Sequence, residues 1–154
     1  MAAVSSQQGL YFEEYEIGTT MCTRGRTITE SDIVSFAGLT GDYNPMHTDA
    51  EYMKESMFGQ RIAHGLLTLS YVIGQAYQLG FMERTVLAFR GLEMKFSLPV
   101  FIGDTVHAEL TVREKKAAAR LGGGMVTIDM KVINQDGKTV QSGEILVLVA
   151  SKPA

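Results

Sequence analysis

Asp42, Asn44 and His47 surround Pro45, and His64-Gly65 follows seventeen positions after His47. A carboxylate and an imidazole that share one water molecule can move protons at neutral pH. Pro45 has no backbone donor and pushes Asn44 toward extended geometry, so residues 41–47 form an irregular turn whose side chains converge. Each residue also has an ordinary use. Asp42 beside Gly41 is a common turn carboxylate, Asn44-Pro45 is a common turn pair, and a single His47 fits a satisfied core position. His64-Gly65 opens an apolar run. It reads either as simple helix initiation or as a helix start whose unpaired N–H groups face a developing negative charge, as in an oxyanion hole.

These residues need scaffolding, and the flanking patterns supply it. Residues 20–28 read as a first strand. Thr29-Glu30-Ser31-Asp32 reads as an N-cap with an acid three positions on, opening a helix with Ile33, Phe36 and Ala37 on one side and Gly41 as its stop. Asp49 caps a second short helix through Tyr52, Met53 and Ser56. Residues 66–79 are apolar around most of the circumference and read as a helix buried on all sides, with Gly80 as its C-cap. The period then changes to two. Val106, Ala108, Leu110 and Val112 alternate with polar residues, as do Val126, Ile128, Met130 and Val132, the pattern of antiparallel strands with one buried face. Asp136-Gly137 reads as a type I′ hairpin turn, and residues 145–150, apolar at almost every position, as a central strand. The expected class is α+β, an antiparallel sheet wrapped around one long helix. Such a sheet leaves an edge open, which a second copy closes economically.

The chain has 154 residues, 45% hydrophobic and 20% charged, with a net charge of −3. That is one folded domain, expected over residues 20–150, preceded by an N-terminal segment 1–19 whose first eight residues are frayed. The acidic balance argues against a nucleic-acid partner. The longest apolar stretch, residues 65–81, carries Thr68, Ser70, Gln75 and Gln78 and falls short of a membrane span. A single cysteine, Cys22, forms no internal disulfide and points to a reducing, cytoplasmic setting. Residues 1–9 have neither the basic start nor the apolar core of a signal peptide.

Other chemistries fit less well. Asp42, His47, Asp49 and His64 offer metal-ligating atoms, but their spacing matches no zinc motif, and no metal is expected. Cys22 lies on a strand with no neighbouring base, and there is no GxSxG elbow.

Three ordered blocks, Asp42-Tyr43-Asn44-Pro45-Met46-His47, Ile62-Ala63-His64-Gly65-Leu66-Leu67 and Phe96-Ser97-Leu98-Pro99-Val100-Phe101-Ile102-Gly103-Asp104, resemble the MaoC-like dehydratases. More narrowly, they are similar to single-domain (R)-specific enoyl-CoA hydratases, over nearly the whole of residues 20–149. The resemblance implies a hot-dog fold and a homodimer with sheets joined edge to edge, assembled further in some arrangements. It implies an acyl-CoA or acyl-carrier-protein thioester between the subunits, and no cofactor beyond the coenzyme A of the substrate. By position, Asp42 and His47 become the catalytic pair. Gly65 N–H becomes the donor that polarises the substrate carbonyl, and Asn44, grouped with it as substrate-binding, helps hold the turn and orients the water or the His. The implied reaction is reversible syn hydration of a trans-2-enoyl-CoA to the (R)-3-hydroxyacyl-CoA. Arg61, Arg90 and Lys95 are candidates for the coenzyme A phosphates. Some relatives carry a supporting serine about where Ile73 stands, while Ser70 lies about 60° short of a matching position on the helix. Tyr71, Tyr77 and Phe81 on the central helix and just beyond its end would favour short or branched acyl groups if they line the acyl tunnel.

Two other functions remain open. A hot-dog thioesterase would direct water at the carbonyl carbon instead of C3 and release free coenzyme A. A non-catalytic acyl-thioester-binding subunit would need no proton-transfer pair.

Overall fold

Thr29 starts the first helix as the residue types require. In the computed structural model, which describes residues 9–154, its hydroxyl accepts from Asp32 N–H while the Asp32 carboxylate takes the Thr29 N–H. This reciprocal box satisfies two donors that a helix start leaves unpaired. Helix α1, Glu30–Thr40, runs until Gly41 adopts φ 80°, a left-handed geometry that glycine takes without a Cβ penalty. Ile33 and Ala37 are buried and Phe36 is half-buried, the face expected from their spacing.

Two further caps follow in quick succession. Asn44 caps α2, Pro45–Thr48, with Pro45 at its first position, and the Asp49 carboxylate caps α3, Ala50–Lys54. Helix α4, Gly65–Gln78, is the long central helix, and Gly80 just beyond it has φ 86°. Its inner face buries Leu67, Val72 and Ala76. It is not enclosed on all sides. Leu66, Ser70, Gly74 and Tyr77, spaced one turn apart, form an exposed stripe.

The strands are β1 (Thr20–Cys22), β2 (Arg26–Thr27), β3 (Val86–Phe96), β4 (Thr105–Ala118), β5 (Gly123–Ile133) and β6 (Thr139–Ala150). They form an antiparallel sheet in the order β1-β4-β5-β6-β3, with β2 also on β4. Val106, Ala108, Leu110 and Val112 on β4, and Val126, Ile128, Met130 and Val132 on β5, all face the core. The sheet and α4 make the α+β hot-dog architecture. Strand β6 is central, as its apolar run requires.

Several expectations need correction. The expected irregular turn 41–47 gives way at Pro45 to α2, because Asn44 caps it and proline suits a first helical position, and the helix capped by Asp49 ends at Lys54, short of Ser56. Residues 20–28 form two short strands, β1 and β2, because Thr23 leaves the ladder. Its N–H donates to Ala108 O and its hydroxyl accepts from Ala108 N–H. Gly137 has φ 72°, but Asp136 does not share a positive φ, so the β5–β6 turn is not type I′. Asn134 organises that loop instead, its side-chain oxygen accepting from both Asp136 and Lys138 N–H. Strand β3 was not marked by alternation, since as an edge strand it is exposed on most positions. The folded unit also extends beyond residues 20–150. Gly9 and Leu10 N–H bond to Glu83 and Phe81 carbonyls, Tyr15 is 2% exposed within the core, and Lys152 pairs with Glu14. The expected fraying of residues 1–8 lies outside the described residues.

Thr29→Ala removes the cap that orients α1 and therefore the loop behind it. It lowers the unfolding free energy by about 1 kcal/mol. Urea denaturation checks this as a lower midpoint with an unchanged m-value.

Candidate active site

Two short helices and a strap bring the candidate residues together. Gly41 stops α1, Asn44 Oδ1 accepts from Met46 N–H at 3.1 Å, and α2 turns at once to present His47 inward. The strap is residues 61–63. Ile62 N–H donates to Met46 O at 3.0 Å, and Ala63 N–H to Val100 O at 2.7 Å. The Ile62 carbonyl then faces back and accepts from Nδ1 of His47 at 2.8 Å.

That bond fixes the chemistry of His47. A carbonyl only accepts, so Nδ1 carries the proton and Nε2 of the neutral ring presents a lone pair. His47 is 6% exposed. Burial pushes its pKa below the ordinary value, and charge on His64 adds to that, while the Ile62 carbonyl and the Asp42 carboxylate pull the other way. The net direction is downward, which keeps the ring a base at neutral pH.

Asp42 stands beside it with the opposite surroundings. Its side chain is about half exposed, Oδ1 accepts from Asn44 N–H at 3.2 Å, and Oδ2 lies 3.9 Å from Nε2 of His47. The gap is too long for a direct hydrogen bond. It suits one water oxygen at about 2.8 Å from each atom.

His47 and Gly65 line one wall of a cavity of about 750 Å³, with Met57, Phe96 and Leu98 among its apolar lining. Gly65 opens α4, and among the described residues its N–H is paired with no backbone acceptor. A Cβ here would lie 2.7 Å from the Phe96 ring, so glycine permits the close approach of ring and helix start. Gln141, reaching across from β6, donates to Gly65 O at 2.9 Å.

Thus the structure brings together Asp42, His47 and the Gly65 end of α4. Asn44 is used as the cap of α2 and lies outside the cavity wall, which fits the turn-holding part of its expected role and not contact with a ligand. Asp42, His47 and His64 offer ligand atoms within 4.8 Å of one another, whereas Asp49 is committed to capping α3 through Tyr52 N–H. Each histidine has one nitrogen on a backbone carbonyl, and the rings are stacked with centroids 3.8 Å apart and 26° between planes. Stacked rings point their in-plane lone pairs side by side, a poor arrangement for one tetrahedral ion.

Several other candidates are elsewhere. Arg61 is held by the Glu30 carboxylate, while Arg90 and Lys95 lie on the exposed edge strand β3. Tyr71 donates to Asp32 at 2.6 Å with Arg26 over its ring, Tyr77 bonds to Glu83, and Phe81 packs on Tyr15. None of the three lines the cavity. Ser70 donates to Leu66 O on the exposed side of α4. Sequence reasoning missed the Ile62 carbonyl, Gln141 and the ring of His64. A buried polar side chain late in an alternating strand was the available signal for Gln141.

The profile of the MaoC like domain matches residues 13–134. The chain is 42% identical over 106 residues to Protein MaoC of Klebsiella aerogenes, covering 68% of this chain but 31% of that protein. It is 36% identical over 149 residues to an (R)-specific enoyl-CoA hydratase of Rhodospirillum rubrum, covering 92% of this chain and 93% of that one. Among solved structures, a monoamine oxidase regulatory protein from Archaeoglobus superposes with a TM-score of 0.89 at 39% identity, covering 95% and 97% of the two chains.

His47 titrates below the ordinary histidine value with its neutral form protonated on Nδ1. Imidazole ¹⁵N NMR across pH 4–8 reads both the midpoint and the tautomer.

Proposed function

This chain belongs to the MaoC-like dehydratase family, and on that footing we propose that it catalyses reversible syn hydration of a trans-2-enoyl-CoA to the (R)-3-hydroxyacyl-CoA. It is a hydro-lyase. The observation that carries the reading is the 3.9 Å gap between Asp42 Oδ2 and the unprotonated Nε2 of His47, beside a cavity walled by Gly65.

The steps follow from that geometry. A water in the gap hydrogen-bonds to both groups. Gly65 N–H donates to the thioester carbonyl oxygen, which draws electron density from the C2–C3 double bond and leaves C3 electrophilic. The water oxygen forms its bond to C3 as its O–H bond breaks, and Nε2 of His47 takes that proton. The Asp42 carboxylate accepts a hydrogen bond from the water's second O–H, which stays on oxygen as the product hydroxyl, and stabilises the imidazolium. The imidazolium then returns its proton to C2, forming the C–H bond and restoring the neutral ring. Water addition and protonation come from one side, so the addition is syn. The reverse sequence dehydrates, and concentrations set the direction.

Three features extend the reading. The acyl group enters the cavity, where wall residues such as Met57, Phe96 and Leu98 select its length and shape. The edge strand β3 exposes Leu87, Phe89, Leu92 and Phe96, an apolar rim that a second copy would cover as a homodimer. Phe96 belongs to both features, which sets the acyl site beside that interface. The reaction calls for no cofactor beyond the coenzyme A of the substrate. Among the described residues no helix is long and apolar enough to cross a membrane, and a cytoplasmic setting fits the lone Cys22.

Crotonyl-CoA hydration followed by absorbance, with chiral analysis of the product, tests the reading. Wild type yields the (R)-product. Asp42→Asn and His47→Gln each lower kcat by about 10²–10⁴-fold. Free coenzyme A released from a saturated acyl-CoA in place of hydration would point to a thioesterase, and wild-type inactivity on both to a binding subunit. The rate also falls on acidification, because protonating Nε2 removes the base, and with a lowered pKa that fall begins below the ordinary histidine range.

A further inference from the structure

His64 is buried at 2% exposure, and the proposed mechanism gives it no part. Its ring makes three contacts. Nε2 donates to the backbone carbonyl of Asp42 at 3.0 Å, so Nε2 carries the proton, the opposite tautomer from His47. One face stacks on His47 at 3.8 Å, and Phe36 from α1 packs against the ring with centroids 5.0 Å apart. Nδ1 is buried and meets no hydrogen-bond partner among the described residues. A helix N-cap position normally uses a short side chain to satisfy the first N–H groups, and His64 makes no such bond. The side chain is therefore aimed away from its own helix and into the catalytic loop.

We propose that His64 is a positioning residue that ties both proton carriers to the start of α4, through the Asp42 carbonyl on one side and the face of the His47 ring on the other. Asp42 is exposed, and its carboxylate has only a local bond to Asn44 N–H. Asp42 N–H donates to Thr40 Oγ1 within its own loop, and among the described residues the His64 bond is the one that ties the Asp42 backbone directly to the neighbour of Gly65, the donor for the substrate carbonyl. The Asp42–His47 gap and the Gly65 N–H must keep register for water to meet C3, and His64 adjoins Gly65 in sequence. Its ring thus couples the acid–base pair to the carbonyl site. It also sets the charge around His47. The charged groups that act on His47 are the Asp42 carboxylate from the α1–α2 loop and His64 at the head of α4. The strap contributes only the Ile62 carbonyl, and Phe36 of α1 only hydrocarbon.

The inference rests on the hydratase reading, so the assay is run on the full chain with wild type as the control. Loss of wild-type hydration sinks that reading, whereas the NMR arms below judge His64 with no turnover at all. His64→Phe keeps a stacking ring and removes the donor. His64→Gln keeps an Nε2 donor at similar reach and removes the ring. His64→Phe is expected to lose about 10- to 100-fold in kcat with KM within about twofold, a loss of register rather than of binding. His64→Gln recovers most of that loss. Both variants also remove the repulsion that a protonated His64 would exert on a protonated His47, so the His47 midpoint rises and the acid limb of kcat/KM moves to higher pH. A merely structural role would not move that limb. In wild type, ¹⁵N NMR shows His64 protonated on Nε2. The proposal is overturned by a His64→Phe enzyme with native kcat, by equal losses in both variants with the His47 midpoint unmoved, or by an Nδ1-protonated His64 in wild type. Should His64→Phe fail to fold, the Gln variant's pH limb and the wild-type tautomer decide the matter.

Discussion

A buried imidazole has to place its N–H somewhere, and in this fold the Ile62 carbonyl is the place. An unpaired N–H at that depth would cost about 1–3 kcal/mol. More consequentially, the proton could settle on Nε2 and remove the base. The carbonyl is available because the strap is doubly anchored, Ile62 N–H to Met46 O and Ala63 N–H to Val100 O. An isolated bridge between Ile62 and Phe101 holds it against the segment that leads into β4. The proposed proton-transfer pair therefore depends on a backbone connection between α2 and the sheet, made by residues whose side chains take no part in the proposed chemistry.

The two proton carriers differ because their surroundings differ. Burial drives His47 toward neutrality, whereas the Asp42 side chain is about half exposed. In the proposed reaction that contrast gives the two groups different tasks: the buried ring takes and returns the proton, and the carboxylate beside it holds the water and stabilises the charged ring. The fold creates the contrast with two caps in quick succession. Gly41 ends α1 at the surface and leaves Asp42 outside, while Asn44 and Pro45 start α2 just in time to turn His47 inside. Lengthening the loop between them would separate the pair.

Local signals made much of this legible. The Thr29 box, the Gly41 stop, the Asp49 cap and the alternation in β4 and β5 depend on residues a few positions apart, and each stands where its pattern placed it. The misses depend on distant partners. Strand β3 has no clean alternation because it borders the sheet, and its apolar residues Leu87, Phe89, Leu92 and Phe96 stay exposed on the single chain. The β5–β6 turn was misread because the Asn134 side chain, not the dipeptide, organises it. Helix α4 was read as buried all round because apolar composition does not say whether a face meets the same chain. At the site, the Asp-Asn-Pro-His block declared itself through clustered residue types. The Ile62 carbonyl could not, since every residue has a carbonyl and only the fold decides which one faces a ring.

The exposed stripe of α4 and the apolar edge of β3 belong to one argument. Leu66 begins the stripe and Phe96 ends the edge strand, and both line the cavity whose other wall is His47. The ring of Phe96 lies where a Gly65 Cβ would be, so the helix start, the sheet edge and the cavity meet at one contact. Surfaces that stay apolar on a single chain are costly in water unless something covers them. Here the same side chains would serve an acyl group from the inside and a second sheet edge from the outside. The contact itself leaves Gly65 no freedom to carry a side chain: a Cβ would displace Phe96, and with it the cavity wall and the exposed end of β3.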